Sequence, residues 1–232
     1  MNNDALYALI IKKQAKDWLK DNPLRLNSEE KQKFLIDLSL YLERKNGVIA
    51  DEVFDFLVQR GLVFNEPREQ TFTAYLIKKY GNLNGVKALD VGAGRICVLS
   101  KSINEKGGKV TAIDTNIRLS EKELEKLNIA VIKKLFRCDE FSKNGKGTNI
   151  HDYDLILGLE PCGATEHIIR QALKYDKPFD ISLCAAPHKG LNGETFKTHL
   201  EWYEHLAKIS KEVSIIKNDC GYVATNNDVF EL

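Results

Sequence analysis

The pattern of apolar positions changes once along the chain. From residue 4 to about 80, apolar side chains recur at helical spacing, as in Leu6, Leu9 and Ile10, then Trp18 and Leu19, then Phe34, Leu38, Tyr41 and Leu42. That period buries one face of a helix and argues against strands. Ser28, followed by Glu29 and Glu30, reads as an N-cap with acidic first-turn residues that suit the helix dipole, and Gly47 and Gly61 stand where helices end. Further helices are expected at about 50 to 60 and at about 67 to 80, the second starting at Pro67. After the turn-rich stretch Gly81-Asn82-Leu83-Asn84-Gly85, short β-branched or apolar runs alternate with helical segments, as in an α/β fold. Strands are expected near 86 to 91, 109 to 113, 130 to 135, 153 to 158 and 179 to 185, with helices near 95 to 106, 117 to 127, 163 to 175 and 195 to 210. The end, Val213 to Ile216 and Tyr222 to Thr225, reads as a hairpin turned at Asn218-Asp219-Cys220-Gly221. The expected division is a helical extension over residues 1 to 80 and an α/β domain over 81 to 232.

Composition narrows the class. With 43% hydrophobic and 29% charged residues, a chain of 232 residues can bury a core without disulfide or metal staples, which excludes intrinsic disorder. A net charge of +1 supplies no global field toward nucleic acid or anionic lipid. Five scattered cysteines, an odd number, form neither a disulfide scaffold nor a zinc ribbon and fit a reducing cytoplasm. The apolar stretch from Ala5 to Ile11 has its lysines, Lys12 and Lys13, on the wrong side for a secretory signal. No apolar run approaches the ~18 residues that span a bilayer. The expectation is a soluble cytoplasmic protein without a membrane partner.

The most informative segment is Lys87-Ala88-Leu89-Asp90-Val91-Gly92-Ala93-Gly94-Arg95, an apolar strand entering a glycine-rich turn and then a helix. The two glycines let the backbone approach a ligand, and a helix N-terminus behind them offers free N–H groups. Asp114 follows the next strand, Val110-Thr111-Ala112-Ile113, where a carboxylate can accept both hydroxyls of a ribose. A nicotinamide fingerprint needs a third glycine at the position held by Cys97, which counts against a dehydrogenase.

This segment resembles the first motif, Asp/Glu-x-Gly-x-Gly-x-Gly, of the class I S-adenosylmethionine-dependent methyltransferases: Asp90, Gly92 and Gly94 match, and Ile96 stands at the third glycine. The resemblance covers roughly residues 70 to 232 and implies a Rossmann-like seven-stranded methyltransferase sheet with a reversed last strand, preceded here by an N-terminal helical extension. It implies S-adenosyl-L-methionine as cofactor. Asp90, Gly92, Ala93 and Gly94 would lie near its methionine moiety, Asp114 on the ribose, and Asp139 facing the adenine amino group. Arg68, Phe72 and Tyr75 precede the first strand, where many members of the fold place a segment that closes over the cofactor, although spacing makes Phe72 and Tyr75 core residues first.

A second segment, Gly158-Leu159-Glu160-Pro161-Cys162-Gly163-Ala164-Thr165, is similar to the Gly-x-His-x-Cys-Gly-x-x-Thr motif of some methyltransferase-like proteins, including tRNA ribose methylases. Glu160 replaces the histidine, Thr165 comes one residue early, and Ser182-Leu183-Cys184-Ala185-Ala186-Pro187-His188 keeps part of a Cys-Cys-x-His run. In this fold the turn after the fourth strand faces the transferable methyl group. Glu160 is thus a candidate general base, with the helix cap or the cofactor amino group as its alternative partners, and His188 is a second acid–base candidate. Cys162, Cys184 and His188, with His167 or Cys220 near in the topology, could converge on a metal, but the close Cys-x-x-Cys spacing is missing and no metal is expected. Lys122, Lys126, Lys133, Lys134 and Arg137 are interleaved with Glu121, Glu123 and Glu125, as on a solvated helix face.

The expected function is methyl transfer from S-adenosyl-L-methionine to an oxygen or nitrogen of an unidentified acceptor, a small molecule or RNA, with the N-terminal helices as a cap or a homodimer surface. The alternatives are a catalytically silent binding module of the same fold and a nucleotide-dependent enzyme such as a dehydrogenase.

Overall fold

The computed structural model describes residues 3–11, 24–45, 50–59, 62–65, 68–186, 188–218 and 220–227. The expectations placed on Trp18, Leu19, Gly47, Gly61, Pro67 and Asp219 lie outside these residues. The chain forms two compact units, Met1–Pro67 and Arg68–Leu232.

In the first unit, helices α1 (Asn3–Ile11), α2 (Ser28–Arg44) and α3 (Ala50–Gln59) accompany two short parallel strands, β1 (Leu24–Leu26) and β2 (Val63–Asn65). The helical period is realised: Tyr7, Phe34, Leu38, Leu42, Phe54 and Leu57 are buried together, with Tyr7 and Phe34 edge to face at 5.5 Å. The unit therefore has a core of its own. Two features depart from the sequence reading. The paired strands are three residues each, too short to display an alternation. The cap of α2 is Asn27 rather than Ser28: the Glu30 N–H donates to Asn27 Oδ1 at 2.9 Å, and Glu30 Oε2 accepts from the Asn27 N–H at 3.0 Å, a reciprocal capping box.

The second unit begins with α4 (Arg68–Tyr80), which the sequence reading grouped with the first 80 residues. It packs here because Phe72, Tyr75 and Leu76 share a buried cluster with Ala88, Val110, Leu155 and Leu157 of the sheet. Strands β3 (Lys87–Val91), β4 (Lys109–Ile113), β5 (Ala130–Ile132), β6 (Leu155–Leu159), β7 (Phe179–Ser182), β8 (Ser214–Asn218) and β9 (Gly221–Thr225) form a sheet of order β5-β4-β3-β6-β7-β9-β8. The first five are mutually parallel, and β9 runs antiparallel to both β7 and β8. This is the α/β, seven-stranded sheet with a reversed last strand that the sequence resemblance implies. Helices α5 (Val98–Asn104), α6 (Glu121–Leu127), α7 (Thr165–Lys174) and α8 (His199–Ala207) connect the strands.

Alternation along β3 splits the core. Leu89 and Val91 face the cluster holding Ile168, Ile169, Trp202 and Leu206, and Ala88 faces the α4 and α5 side. No described residue of α6 is buried, in keeping with its interleaved charges. Successive crossovers run outward from β3 through β4 to β5, and the chain then returns to β6 beside β3. The carboxyl ends of β3 and β6 therefore flank a crevice at the point where the winding reverses, which is where open α/β sheets bind ligands.

Beneath the sheet lies an ion pair with both side chains fully buried. Lys79 Nζ donates to Asp180 Oδ1 at 2.8 Å and to Thr225 Oγ1 at 2.7 Å. The hydroxyls of Tyr75 and Tyr80 donate to the two oxygens of the same carboxylate at 2.9 and 2.6 Å. The group ties α4 to β7 and β9. Burial pushes both tyrosine hydroxyls far up, with the Asp180 charge adding to it, so they serve as fixed donors. Removing one partner of such a pair leaves an uncompensated buried charge. Lys79→Met is expected to lower unfolding free energy by about 3–5 kcal/mol in urea titrations, and replacing Lys79 and Asp180 together by apolar residues should recover much of the loss.

Candidate functional site

The glycine-rich turn follows β3 directly. Gly92 has a φ of 73°, a conformation open to glycine at little cost, and its N–H donates to the Ile113 carbonyl at 2.9 Å. A Cβ at this position would lie 2.9 Å from the Cα of Pro161, so the turns after β3 and β6 are in contact. Gly94, at a φ of 70°, has open space where a Cβ would project. Helix α5 starts later than the sequence suggests, because Cys97 adopts a left-handed φ of 51° just before it. Ile96 is 53% exposed and lines neither cavity described below.

Asp90 is fully buried at the end of β3. Its Oδ2 accepts from Ser100 Oγ at 2.6 Å, and its Oδ1 has no hydrogen-bond partner among the described residues. Burial pushes its pKa up to about 6, against the pull of the Ser100 hydrogen bond. Asp114 closes the turn from the next strand: Oδ2 accepts the Gly94 N–H at 3.0 Å and Oδ1 the Asn116 N–H at 2.7 Å. A carboxylate offers roughly four acceptor positions, so two are left for a ligand.

Two cavities meet at Gly92. One, of about 400 Å³, is lined by Asp114, Ile113, Leu135, Phe136, Arg137 and His167 among others. It is largely apolar with Asp114 at one wall. The other, of about 460 Å³, is lined by Arg68, Glu69, Asp90, Ala93, Gly94 and Glu160 among others. Its ionisable side chains, Arg68, Glu69, Asp90 and Glu160, are set among apolar walls that include Val98, Leu99 and Leu159. The sequence-derived residues Asp90, Gly92, Ala93, Gly94, Asp114 and Glu160 all fall on this paired hollow.

Glu160 leaves β6 at a left-handed φ of 51° and donates its N–H to the Ser182 carbonyl at 2.9 Å. Its carboxylate forms an ion pair with the Arg68 guanidinium at the start of α4. A carboxylate already paired with a guanidinium has its charge committed to a cation, a partner that is neither the free base nor the helix cap nor the cofactor amino group considered from the sequence.

Asp139 is the one proposed cofactor contact that the structure removes from the hollow. It sits in a 3-10 turn, Asp139–Phe141. It accepts from Lys174 Nζ at 2.6 Å, the Tyr175 hydroxyl at 2.7 Å and the Gly147 N–H at 2.9 Å. These donors, Lys174 foremost, hold its pKa down to about 2. Its place beside the cavity is taken by Phe136 and Arg137 just upstream.

His188 stands apart from the two cavities. Its Nε2 lies 3.4 Å from Cys184 Sγ, and the donor atoms of Cys162, Cys184 and His188 all lie within 4.8 Å of one another. Burial pushes the His188 pKa down and the Cys162 thiol up. The other two metal candidates are elsewhere. His167 Nδ1 accepts the Cys138 N–H at 3.2 Å, and the Cys220 N–H donates to Asn218 Oδ1 at 2.9 Å. His167 does line the apolar cavity, a placement that nothing in the local sequence pattern signals. Phe72 and Tyr75, stacked at 5.8 Å, are core residues as their spacing suggests, and Arg68 alone of that trio reaches the hollow.

No protein-family model matches the chain and no curated protein matches it. Among solved structures it is similar to precorrin-6y C5,15-methyltransferase from Geobacter metallireducens, at 14% identity over 67% of this chain and 86% of that one, with a TM-score of 0.38. It is also similar to the plantazolicin methyltransferase BpumL in complex with SAH, at 18% identity over 71% of each chain, with a TM-score of 0.40. A third is phosphoethanolamine N-methyltransferase 2 from Haemonchus contortus, at 16% identity over 62% of this chain and 38% of that one, with a TM-score of 0.42. The sheet order and the residues along its carboxyl edge stand independently of these likenesses. No helix among the described residues is long and apolar enough to cross a membrane.

The Asp139 network has a pH signature. The folded carboxyl ionises at about 2 against 3.8 when free, so its contribution to stability is complete above the free value and is lost as pH falls toward the folded one. Thermal melts across that window should show the wild-type midpoint falling more steeply than that of Asp139→Asn. Parallel curves would show that the network adds nothing.

Proposed function

We propose that the second unit binds S-adenosyl-L-methionine across the carboxyl ends of β3, β4 and β6 and that the chain is a methyltransferase. The observation that carries this reading is the meeting of two cavities at Gly92, one lined by the Asp114 carboxylate with two acceptor positions left over, the other by Asp90, Arg68 and Glu160. An adenosine is a flat apolar body with a ribose diol. It matches walls of Ile113, Leu135 and Phe136 with the carboxylate of Asp114 beside them. A methionine end carries an ammonium and a carboxylate, which match Asp90 or Glu160 and Arg68 respectively. Gly92 lets the backbone come close where the two parts would join.

When bound, the cofactor supplies an electrophilic methyl carbon on a sulfonium. The chain's own task is then to hold an acceptor in line with that carbon and to keep water out. Glu160 takes the acceptor's proton if Arg68 releases it; while the ion pair holds, Glu160 orients the cofactor amino group instead. The acceptor is a small molecule or RNA presenting oxygen or nitrogen. The unit of residues 1–67, with its separate core, is the part of the chain left for acceptor recognition or self-association. The Arg68–Glu160 ion pair also favours a second reading, in which the cofactor is bound without turnover.

Calorimetric titration with S-adenosylmethionine and S-adenosylhomocysteine should give one site per chain. Asp114→Ala should weaken binding by about 1.5–3 kcal/mol, roughly 10- to 150-fold, the worth of hydrogen bonds to a charged acceptor. A folded sample that gives no heat with either ligand would sink the reading. Binding without methyl transfer to any acceptor in a broad panel would select the silent form.

A further inference from the structure

Strands β6 and β7 are neighbours and parallel, so the loops after them emerge side by side although their residues are far apart in sequence. The first loop enters a 3-10 turn at Cys162. The second carries Cys184 two residues beyond the end of β7, and His188 after it. Two sulfurs and one imidazole nitrogen converge there within 4.8 Å, with 3.4 Å between Cys184 Sγ and His188 Nε2. Metal–sulfur bonds of about 2.3 Å and metal–nitrogen bonds of about 2.0–2.1 Å at tetrahedral angles give ligand separations of roughly 3.5 Å for S···N and 3.8 Å for S···S. The Cys184–His188 separation of 3.4 Å already matches the S···N value, and the other separations, bounded by 4.8 Å, need to close by at most about 1 Å.

The surroundings support a sulfur-ligated ion. The Ala186 N–H donates to Cys184 Sγ at 3.3 Å, and the Tyr203 hydroxyl donates to the Cys184 carbonyl at 3.0 Å, so both the sulfur and its backbone are held from outside. The His188 ring packs against Trp202 with centroids 6.0 Å apart and planes at 72°, which limits its rotation. Outer contacts of this kind orient metal ligands. Cys162 holds a left-handed φ of 49°, a costly conformation for a residue with a side chain, and such strain concentrates at functional sites. Two thiols and an imidazole are a set that takes zinc or a similar borderline-soft cation rather than magnesium or calcium.

We propose that Cys162, Cys184 and His188 bind one zinc-class divalent cation through two thiolates and one neutral imidazole nitrogen. Binding releases two thiol protons to solvent, forms two metal–sulfur bonds and one metal–nitrogen bond, and involves no redox change. Three protein ligands leave the fourth position to water or an incoming ligand, the arrangement of an open site rather than a closed structural one. The ion would clamp the two loops that border the hollow from the β6 side. The site is distinct from the methyl-donor hollow, and its occupancy is read with no methyl donor present, so either idea can fail without the other.

The full chain, reduced and freed of metal, should take up one Co²⁺ with a thiolate-to-cobalt charge-transfer band in the near ultraviolet and the intense visible bands of a tetrahedral centre. Zn²⁺ should bleach both. Cys184→Ser and His188→Ala should each weaken Co²⁺ binding by more than the roughly 10–100-fold that losing an outer contact costs, while Cys220→Ser should leave it unchanged. Far-ultraviolet circular dichroism confirms that each variant is folded. Should a variant fail to fold, Zn²⁺ protection of Cys162 and Cys184 from alkylation in the wild-type chain, mapped by mass spectrometry, provides the same test. A folded, reduced wild-type chain without the charge-transfer band, a band surviving Cys162→Ser with Cys184→Ser, or alkylation unaffected by Zn²⁺ would overturn the proposal.

Discussion

The second unit depends on a charge pair taken wholly out of water. Lys79, Asp180, Thr225 and two tyrosine hydroxyls satisfy one another beneath the sheet, and burial on this scale is tolerated only when the pairing is complete. The arrangement fixes where α4 lies. Arg68 is eleven residues before Lys79 on the same helix, roughly 16 Å along its axis at 1.5 Å per residue. An anchor under β7 and β9 thereby carries a guanidinium to the hollow's edge. The outer pair, Arg68 with Glu160, is partly exposed and worth at most about 1 kcal/mol. Its effect is on orientation, whereas the inner pair, together with the buried apolar face of Phe72 and Leu76, fixes where the helix sits on the sheet.

The carboxyl edge shows how one residue type can be set to opposite purposes. Asp90 lies at the end of β3, and Asp139 lies seven residues beyond the end of β5 in the same sheet. Asp90 is desolvated with one oxygen unpaired, which raises its pKa, and Asp139 is surrounded by donors, which lowers it. The first keeps one buried oxygen without a hydrogen-bond partner among the described residues. The second has spent its capacity on holding α7 against the loop that precedes β6.

Local features were readable from the residues alone. The segment Asp90 to Gly94 and Asp114 could be placed because a strand, a turn and the next strand's end are consecutive in the chain, and each imposes its own residue preferences. The surroundings of Asp139 were not legible, because an acidic residue after a strand carries no mark of which donors will surround it; Lys174, at the end of α7, and Tyr175, the next residue, come some 35 positions later. Cys162, Cys184 and His188 could be named from the sequence as residues able to converge, but spacing alone could not separate them from His167 and Cys220, because their meeting is made by lateral pairing of β6 and β7 and not by a local motif. The strands β1 and β2 escape for a simpler reason, since three residues cannot show a period. Cys97 delays α5 through a backbone angle that side-chain identity does not announce.

Gly92 and Pro161 touch so closely that no side chain fits between them. Their two turns thus behave as a single interlocked part, although nearly seventy positions separate them in the chain. In any lineage of such proteins, a larger residue at one position would be viable only if the other withdrew, so the pair should drift together or not at all. Anyone grafting the glycine-rich turn onto another scaffold would have to carry its distant counterpart along.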